Sequence, residues 1–150
     1  MMTNPKLTFD ELKEGQEREA MLVENLTRTQ IVQYAAGSGD FNPIHHDETF
    51  ATRLAGYPSV FAHGMLTMGL TGRLLTDWLG DGVLRSYGVR FVKQVWPGDT
   101  LRAKGTVKRL EAQGQQGLVE IEVVTTNQKG EPVVTGTATA VLPRRGVAPR

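Results

Sequence analysis

The sequence predicts an α+β fold: a curved antiparallel sheet of five to six strands wrapped around a central buried helix. Three observations predict it. The least polar segment, Gly64 to Leu79, is long enough for a helix and carries only Arg73 and Asp77 as charges, so it must be largely covered. After Gly80-Asp81-Gly82 the texture changes to four strand-like runs, Val83 to Lys93, Thr100 to Leu110, Leu118 to Gln128 and Val133 to Leu142. Between them stand the turn signals Trp96-Pro97-Gly98-Asp99, Gln113 to Gly117 and Lys129-Gly130-Glu131-Pro132. These are short enough to predict that consecutive strands pair as antiparallel neighbours.

Taken in order, Arg18 to Asn25 reads as a first strand. Thr27, with Gln30 three residues later, has the form of a capping box and predicts a helix start. Ile31, Tyr34 and Ala35 share one face of that helix, which must stop at Gly37-Ser38-Gly39. From Asp40 to His46, Pro43 pushes Asn42 out of helical geometry and predicts a rigid, ordered loop. Asp47 can then cap a helix ending at Gly56, and the irregular stretch Tyr57 to Ala62 leads into the apolar helix. Gly64, Gly69 and Gly72 each cost that helix roughly 1 kcal/mol of propensity, so a packed sheet or a ligand is expected to approach its backbone. In the third strand-like run, Leu118, Ile121 and Val123 sit among Glu120, Glu122 and Thr125 with one slip in phase, which predicts one covered and one wetter face.

Composition narrows the function classes. The 150 residues, about 39% hydrophobic, suit one domain over residues 1–142, with a Pro/Arg/Gly tail over 143–150 expected to be disordered. A net charge of +1 without blocks of like charge shows no footprint for nucleic acid. The absence of cysteine excludes a disulfide framework, a thiolate nucleophile and a zinc–cysteine site. A polar N-terminus and no run of eighteen apolar residues predict a protein without membrane segments, and the cytoplasm is the expected location.

Chemistry concentrates in Gly39-Asp40-Phe41-Asn42-Pro43-Ile44-His45 and in His63-Gly64 at the start of the apolar helix. A carboxylate and an imidazole on a proline-stiffened loop suit general acid–base work, and amides at a helix start can hold a developing oxyanion. The blander readings are that Asp40 is a turn residue, that His46 is a replaceable surface histidine and that His63 is structural, bonding a loop carbonyl. Asp40, His45 and His63 also have the composition of a two-histidine, one-carboxylate metal site, but no metal is expected.

Tyr34-Ala35-Ala36-Gly37-Ser38-Gly39-Asp40-Phe41-Asn42-Pro43-Ile44-His45, then Phe50-Ala51, then Ala62-His63-Gly64-Met65-Leu66 closely resembles the signature of the MaoC-like (R)-specific enoyl-CoA hydratases. It also resembles that of the 3-hydroxyacyl-ACP dehydratase subunits. The resemblance implies the hot-dog fold and the reversible hydration of trans-2-enoyl thioesters to (R)-3-hydroxyacyl thioesters. It implies no cofactor beyond the CoA or ACP that carries the substrate. Asp40 and His45 match the family's catalytic pair, Asn42 helps shape the loop, and His63 and Gly64 open the central helix.

By the same resemblance the thioester carbonyl is held by backbone N–H near Gly72 and Arg73. Many hydratases place there a serine that orients the catalytic Asp. This chain has Gly72 with Thr71 beside it, so either Thr71 substitutes or something else orients Asp40. A homodimer is expected, with a heterodimer built with a paralogous hot-dog subunit as the other arrangement. Arg53, Arg85, Arg90, Lys93 and Arg102 are available to a carrier's phosphates, although Arg90 and Lys93 read equally well as a solvated strand face. The rival functions are an acyl-CoA thioesterase and a non-catalytic acyl-binding or partner subunit.

Overall fold

The computed structural model describes residues 4–145. Its elements are β1 (Asn4–Pro5), β2 (Glu17–Val23), α1 (Arg28–Ser38), α2 (Gly64–Leu79), β3 (Gly80–Asp81), β4 (Leu84–Phe91), β5 (Leu101–Gln113), β6 (Gln116–Thr126) and β7 (Pro132–Pro143). Short 3₁₀ turns lie at Phe9–Glu11 and Pro43–His45, and a π turn at Phe50–Leu54. β2, β5, β6, β7 and β4 form, in that order, one five-stranded sheet with antiparallel pairing throughout, while β1 and β3 make a separate two-residue pair.

The expected pairing of consecutive strands holds for β5–β6 and β6–β7 and fails for β4. That strand pairs with β7 at the far edge, and β5 takes β2 as its other neighbour. Trp96 to Asp99 is a turn, closed by the Asp99 N–H on the Trp96 carbonyl at 3.0 Å with Gly98 at φ 95°, yet no hairpin results. The connector instead crosses the sheet, bonding Ala62 through Val95 and Leu26 through Gly98 and Asp99. Its residues 92–100 can reach up to about 30 Å, more than the three strand spacings of about 4.8 Å it must cross.

Local chemistry shapes the elements that carry the site. At α1 the Thr27 hydroxyl accepts from the Gln30 N–H and the Gln30 side chain accepts from the Thr27 N–H, so two orphan donors are satisfied reciprocally. The helix ends on Gly39 at φ 76°. Helix α2 buries Thr67, Thr71, Leu74, Leu75, Trp78 and Leu79. Leu75, Trp78 and Leu79 pack with Val107, Val119, Ile121 and Val123, and Leu74 with Leu22, Ile31, Leu101 and Val133. The sheet accounts for two of the helix glycines: a Cβ at Gly64 or Gly72 would stand 3.1 Å from the ring of Phe91 or Tyr87. Gly69 has open space beside it.

Strand β6 alternates strictly, with Gly117, Val119, Ile121, Val123 and Thr125 inward. The expected phase slip is absent, and Thr125, expected on the wetter face, is fully buried. The first residues of the stretch expected to be disordered, Pro143 to Arg145, are held in place. Pro143 closes β7, the Arg144 N–H bonds the Gln115 carbonyl at 2.9 Å, and the Arg145 N–H bonds the Asp10 carboxylate at 2.6 Å. Residues 146–150 lie outside the described region. Among the described residues no helix is long and apolar enough to cross a membrane.

Candidate active site

The loop leaving α1 and the N-terminus of α2 meet at one cluster. Donor atoms of Asp40, His45 and His63 lie within 4.8 Å of one another, Asp40 exposed and both histidines buried. The loop holds its shape by its own side chains. Asp40 Oδ1 accepts the Asn42 N–H at 3.2 Å, and Asn42 Oδ1 accepts the Ile44 N–H at 3.2 Å, capping the 3₁₀ turn that Pro43 begins. The backbone N–H of Asn42, instead of Thr71, bonds the Asp40 carboxylate.

Backbone carbonyls assign the histidine tautomers. A carbonyl only accepts, so His45 Nδ1 carries the proton it donates to the Phe61 carbonyl at 2.7 Å, and Nε2 keeps its lone pair. His63 Nε2 donates to the Asp40 carbonyl at 3.0 Å and so ties the loop to the start of α2. His63 Nδ1 is buried with no hydrogen-bond partner among the described residues. The His45 and His63 rings stack at 3.8 Å and 28°, with Tyr34 against His63 at 5.0 Å. Burial, the largest influence, holds His45 below its ordinary value of 6.5. The Phe61 bond opposes this, the neighbouring His63 adds to it, and Asp40 opposes it.

A cavity of about 280 Å³ opens beside this cluster, lined by Phe61, Ala62, Gly64, Thr67, Phe91, Val92, Lys93, Gln94, Val95 and Val134. Asp40, His45 and His63 are not among the lining residues; the link runs through the chain, Ala62 and Gly64 flanking His63 and the Phe61 carbonyl anchoring His45. Apart from Lys93, offered as a phosphate partner, the sequence did not single out the β4 end and its connector as lining. Their place here follows from the pairing of β4 with β7, which no local pattern encodes.

The structure does not bring Thr71, Gly72 and Arg73 to this cluster. They lie at least eight residues beyond His63, about 12 Å along the helix at about 1.5 Å per residue. Thr71, fully buried, donates to the Thr67 carbonyl at 2.9 Å and meets the Thr125 hydroxyl at 2.7 Å. Gly72 faces Tyr87, whose hydroxyl donates to the Met68 carbonyl at 2.9 Å. Arg73 bonds the Leu22 carbonyl and pairs with Asp77. The amides of Gly72 and Arg73 lie inside a continuous helix, where each bonds the carbonyl four residues back, so they do not present free donors. The amides of Gly64 and Met65, in the first turn, have no internal partner.

His46 stands apart, exposed, its Nε2 bonding the Phe41 carbonyl at 3.1 Å. Of the five basic residues available to phosphates, only Lys93 lines the cavity. Asp40, His45 and His63 each offer one donor atom, all within 4.8 Å of one another, so the group could hold a metal ion.

The MaoC like domain matches residues 11–129. The chain is 32% identical over 140 residues to an (R)-specific enoyl-CoA hydratase of Rhodospirillum rubrum, covering 92% of this chain and 93% of that one. A 67-residue stretch, 43% of this chain, is 51% identical to 3-hydroxyacyl-thioester dehydratase Y of Mycobacterium tuberculosis but spans only 23% of that longer protein. The solved structure of unliganded R-hydratase PhaJ1 from Pseudomonas aeruginosa superposes with a TM-score of 0.81 at 27% identity, over 96% of this chain and 90% of that one. With its hot-dog architecture, and with hydratases and dehydratases among its relatives, this chain belongs to the MaoC-like domain family.

Proposed function

We propose that this protein interconverts trans-2-enoyl and (R)-3-hydroxyacyl thioesters, with Asp40 and His45 as the acid–base pair. The observation that carries the reading is the anchoring of His45 Nδ1 to the Phe61 carbonyl. It leaves Nε2 unprotonated on a ring that, with the Asp40 carboxylate and His63, offers donor atoms within 4.8 Å of one another. A water held by the pair gives up a proton as its oxygen bonds Cβ, and a proton is delivered to Cα. The sum is H and OH added across the double bond, with nothing oxidised or reduced. Charge developing on the thioester oxygen falls to the first-turn amides of Gly64 and Met65. Similarity to an (R)-specific hydratase over most of both chains supports the stereochemical outcome. CoA or ACP serves as carrier, no other cofactor takes part, and the working form is a dimer of this chain or a pair with a paralogous hot-dog subunit, in the cytoplasm.

The test follows the absorbance of the conjugated thioester in a panel of trans-2-enoyl-CoA substrates, with product chirality and free thiol measured in parallel. Wild type converts at least one substrate to the (R)-3-hydroxyacyl product, and Asp40→Asn and His45→Gln each lose about 10²- to 10⁴-fold in rate. Free thiol without hydration would make the protein a thioesterase. Absence of both reactions, alone and with a co-purified partner, would leave an acyl-binding subunit.

A further inference from the structure

As the residue that opens α2, His63 weakens the fold in two ways. It occupies the N-cap and makes no side-chain cap bond, where Ser, Thr, Asn or Asp would accept a first-turn N–H and stabilise the helix. Its ring is only 2% exposed, and its Nδ1 is left buried without a hydrogen-bond partner among the described residues, which is unfavourable for any buried polar atom. A short polar side chain would remove the first defect and an apolar one of similar length the second.

Both defects fall where three parts of the site meet. The Phe61 carbonyl pins the His45 end of the catalytic loop at 2.7 Å, and the His63 Nε2–H pins the Asp40 end at 3.0 Å. The same ring stacks on the His45 imidazole at 3.8 Å, with Tyr34 of α1 against it at 5.0 Å. The next two residues in the chain, Gly64 and Met65, carry the first-turn amides. A capping side chain at position 63 would accept from Met65 or the residue after it, whereas the His63 side chain leaves both amides open. A residue that serves the fold poorly at one position, and touches every part of the site from it, is held there by function.

We propose that His63 is the positioning residue of the site, a role that rests on the hydratase reading above. One ring keeps the acid–base pair and the oxyanion donors in register: it holds the Asp40 backbone, backs the His45 imidazole and leaves the amides of Gly64 and Met65 to the thioester oxygen. His63 itself moves no proton of the reaction. Its contribution is made through Asp40 and His45, so it disappears when either of them is already disabled.

Two variants of the full chain separate the bond from the bulk. His63→Met keeps the length of the side chain without its donor, and His63→Gln puts an amide N–H where Nε2 stands. With the enoyl-CoA that wild type converts fastest, His63→Met is expected to lower kcat about 10²-fold with KM little changed, and His63→Gln to recover most of that loss. In an Asp40→Asn background the same Met substitution should lower the rate little further, because groups that act as a unit do not add. Hydrogen exchange of the Asn42 and Ile44 amides, measured without substrate, should quicken in His63→Met and not in His63→Gln, while the urea midpoint of His63→Met is no lower than that of His63→Gln. Activity that instead follows the urea midpoint, a change in KM alone, full additivity with Asp40→Asn or unaltered exchange in His63→Met would each overturn the proposal. A wild type that converts no enoyl thioester would sink the hydratase reading, and the exchange rates would still decide whether His63 holds the Asp40 loop.

Discussion

At the scale of single residues, the site is built from groups whose roles are set by backbone carbonyls. The Phe61 carbonyl determines which nitrogen of His45 is free, and the Asp40 carbonyl receives His63. The buried His45 imidazole is held below its ordinary 6.5, which carries two pH consequences. If the neutral ring is the base, the rate persists below pH 6.5 and its acid limb appears only as pH falls through the depressed value, a limb that His45→Gln removes from the pH profile of kcat/KM. For stability, the unfolded chain takes up the proton more readily than the folded one. Stability present above pH 6.5 is therefore lost as pH falls from there through the folded value, and urea midpoints measured from pH 7.5 to 5 should decline less in His45→Gln. Metal plays no part in the proposed chemistry, so dialysis against EDTA should leave turnover unchanged. Loss of activity restored by a divalent ion would reassign Asp40, His45 and His63 as ligands.

At the scale of elements, α1 and its exit loop put Asp40 in place. The reciprocal bonds of Thr27 and Gln30 start the helix and Gly39 ends it, so the register of the next residue, Asp40, is set by both ends of α1. Thr27→Ala should cost about 1 kcal/mol in denaturant unfolding, with little effect on kcat, because the Asp40 loop keeps its own bonds to Asn42 and His63. Both caps and the proline-stiffened loop were legible in the sequence, since each depends on contacts between residues at most four apart. The π turn over Phe50–Leu54 was not: the sequence pattern there reads as an ordinary helix capped by Asp47, which does bond the Phe50 N–H at 3.0 Å.

Across the whole molecule, α2 is clamped between two apolar clusters, and Leu75 lies at its centre with no exposed surface. Leu75→Ala should lower stability by about 2–5 kcal/mol in urea unfolding. Activity should survive at temperatures where the variant remains folded, since the site is held by the N-terminal end of the helix.

Patterns of short range determined the class of fold, the apolar helix, the hairpins of β5–β6–β7 and the Asp40–His45 loop, because hydrophobic period, caps and two- to five-residue turns act between near neighbours. Only the tertiary structure decided that β4 leaves its successor and pairs with β7. That choice depends on covering α2 from both edges of the sheet, and with it came the cavity walls of Phe91, Val92 and Lys93. It also chose which loop carbonyl His63 bonds, that of Asp40 across 23 residues, and turned Thr71 inward to Thr125. A hydroxyl's partner depends on which strand the fold brings beside it, and neither residue type nor helical spacing contains that distance.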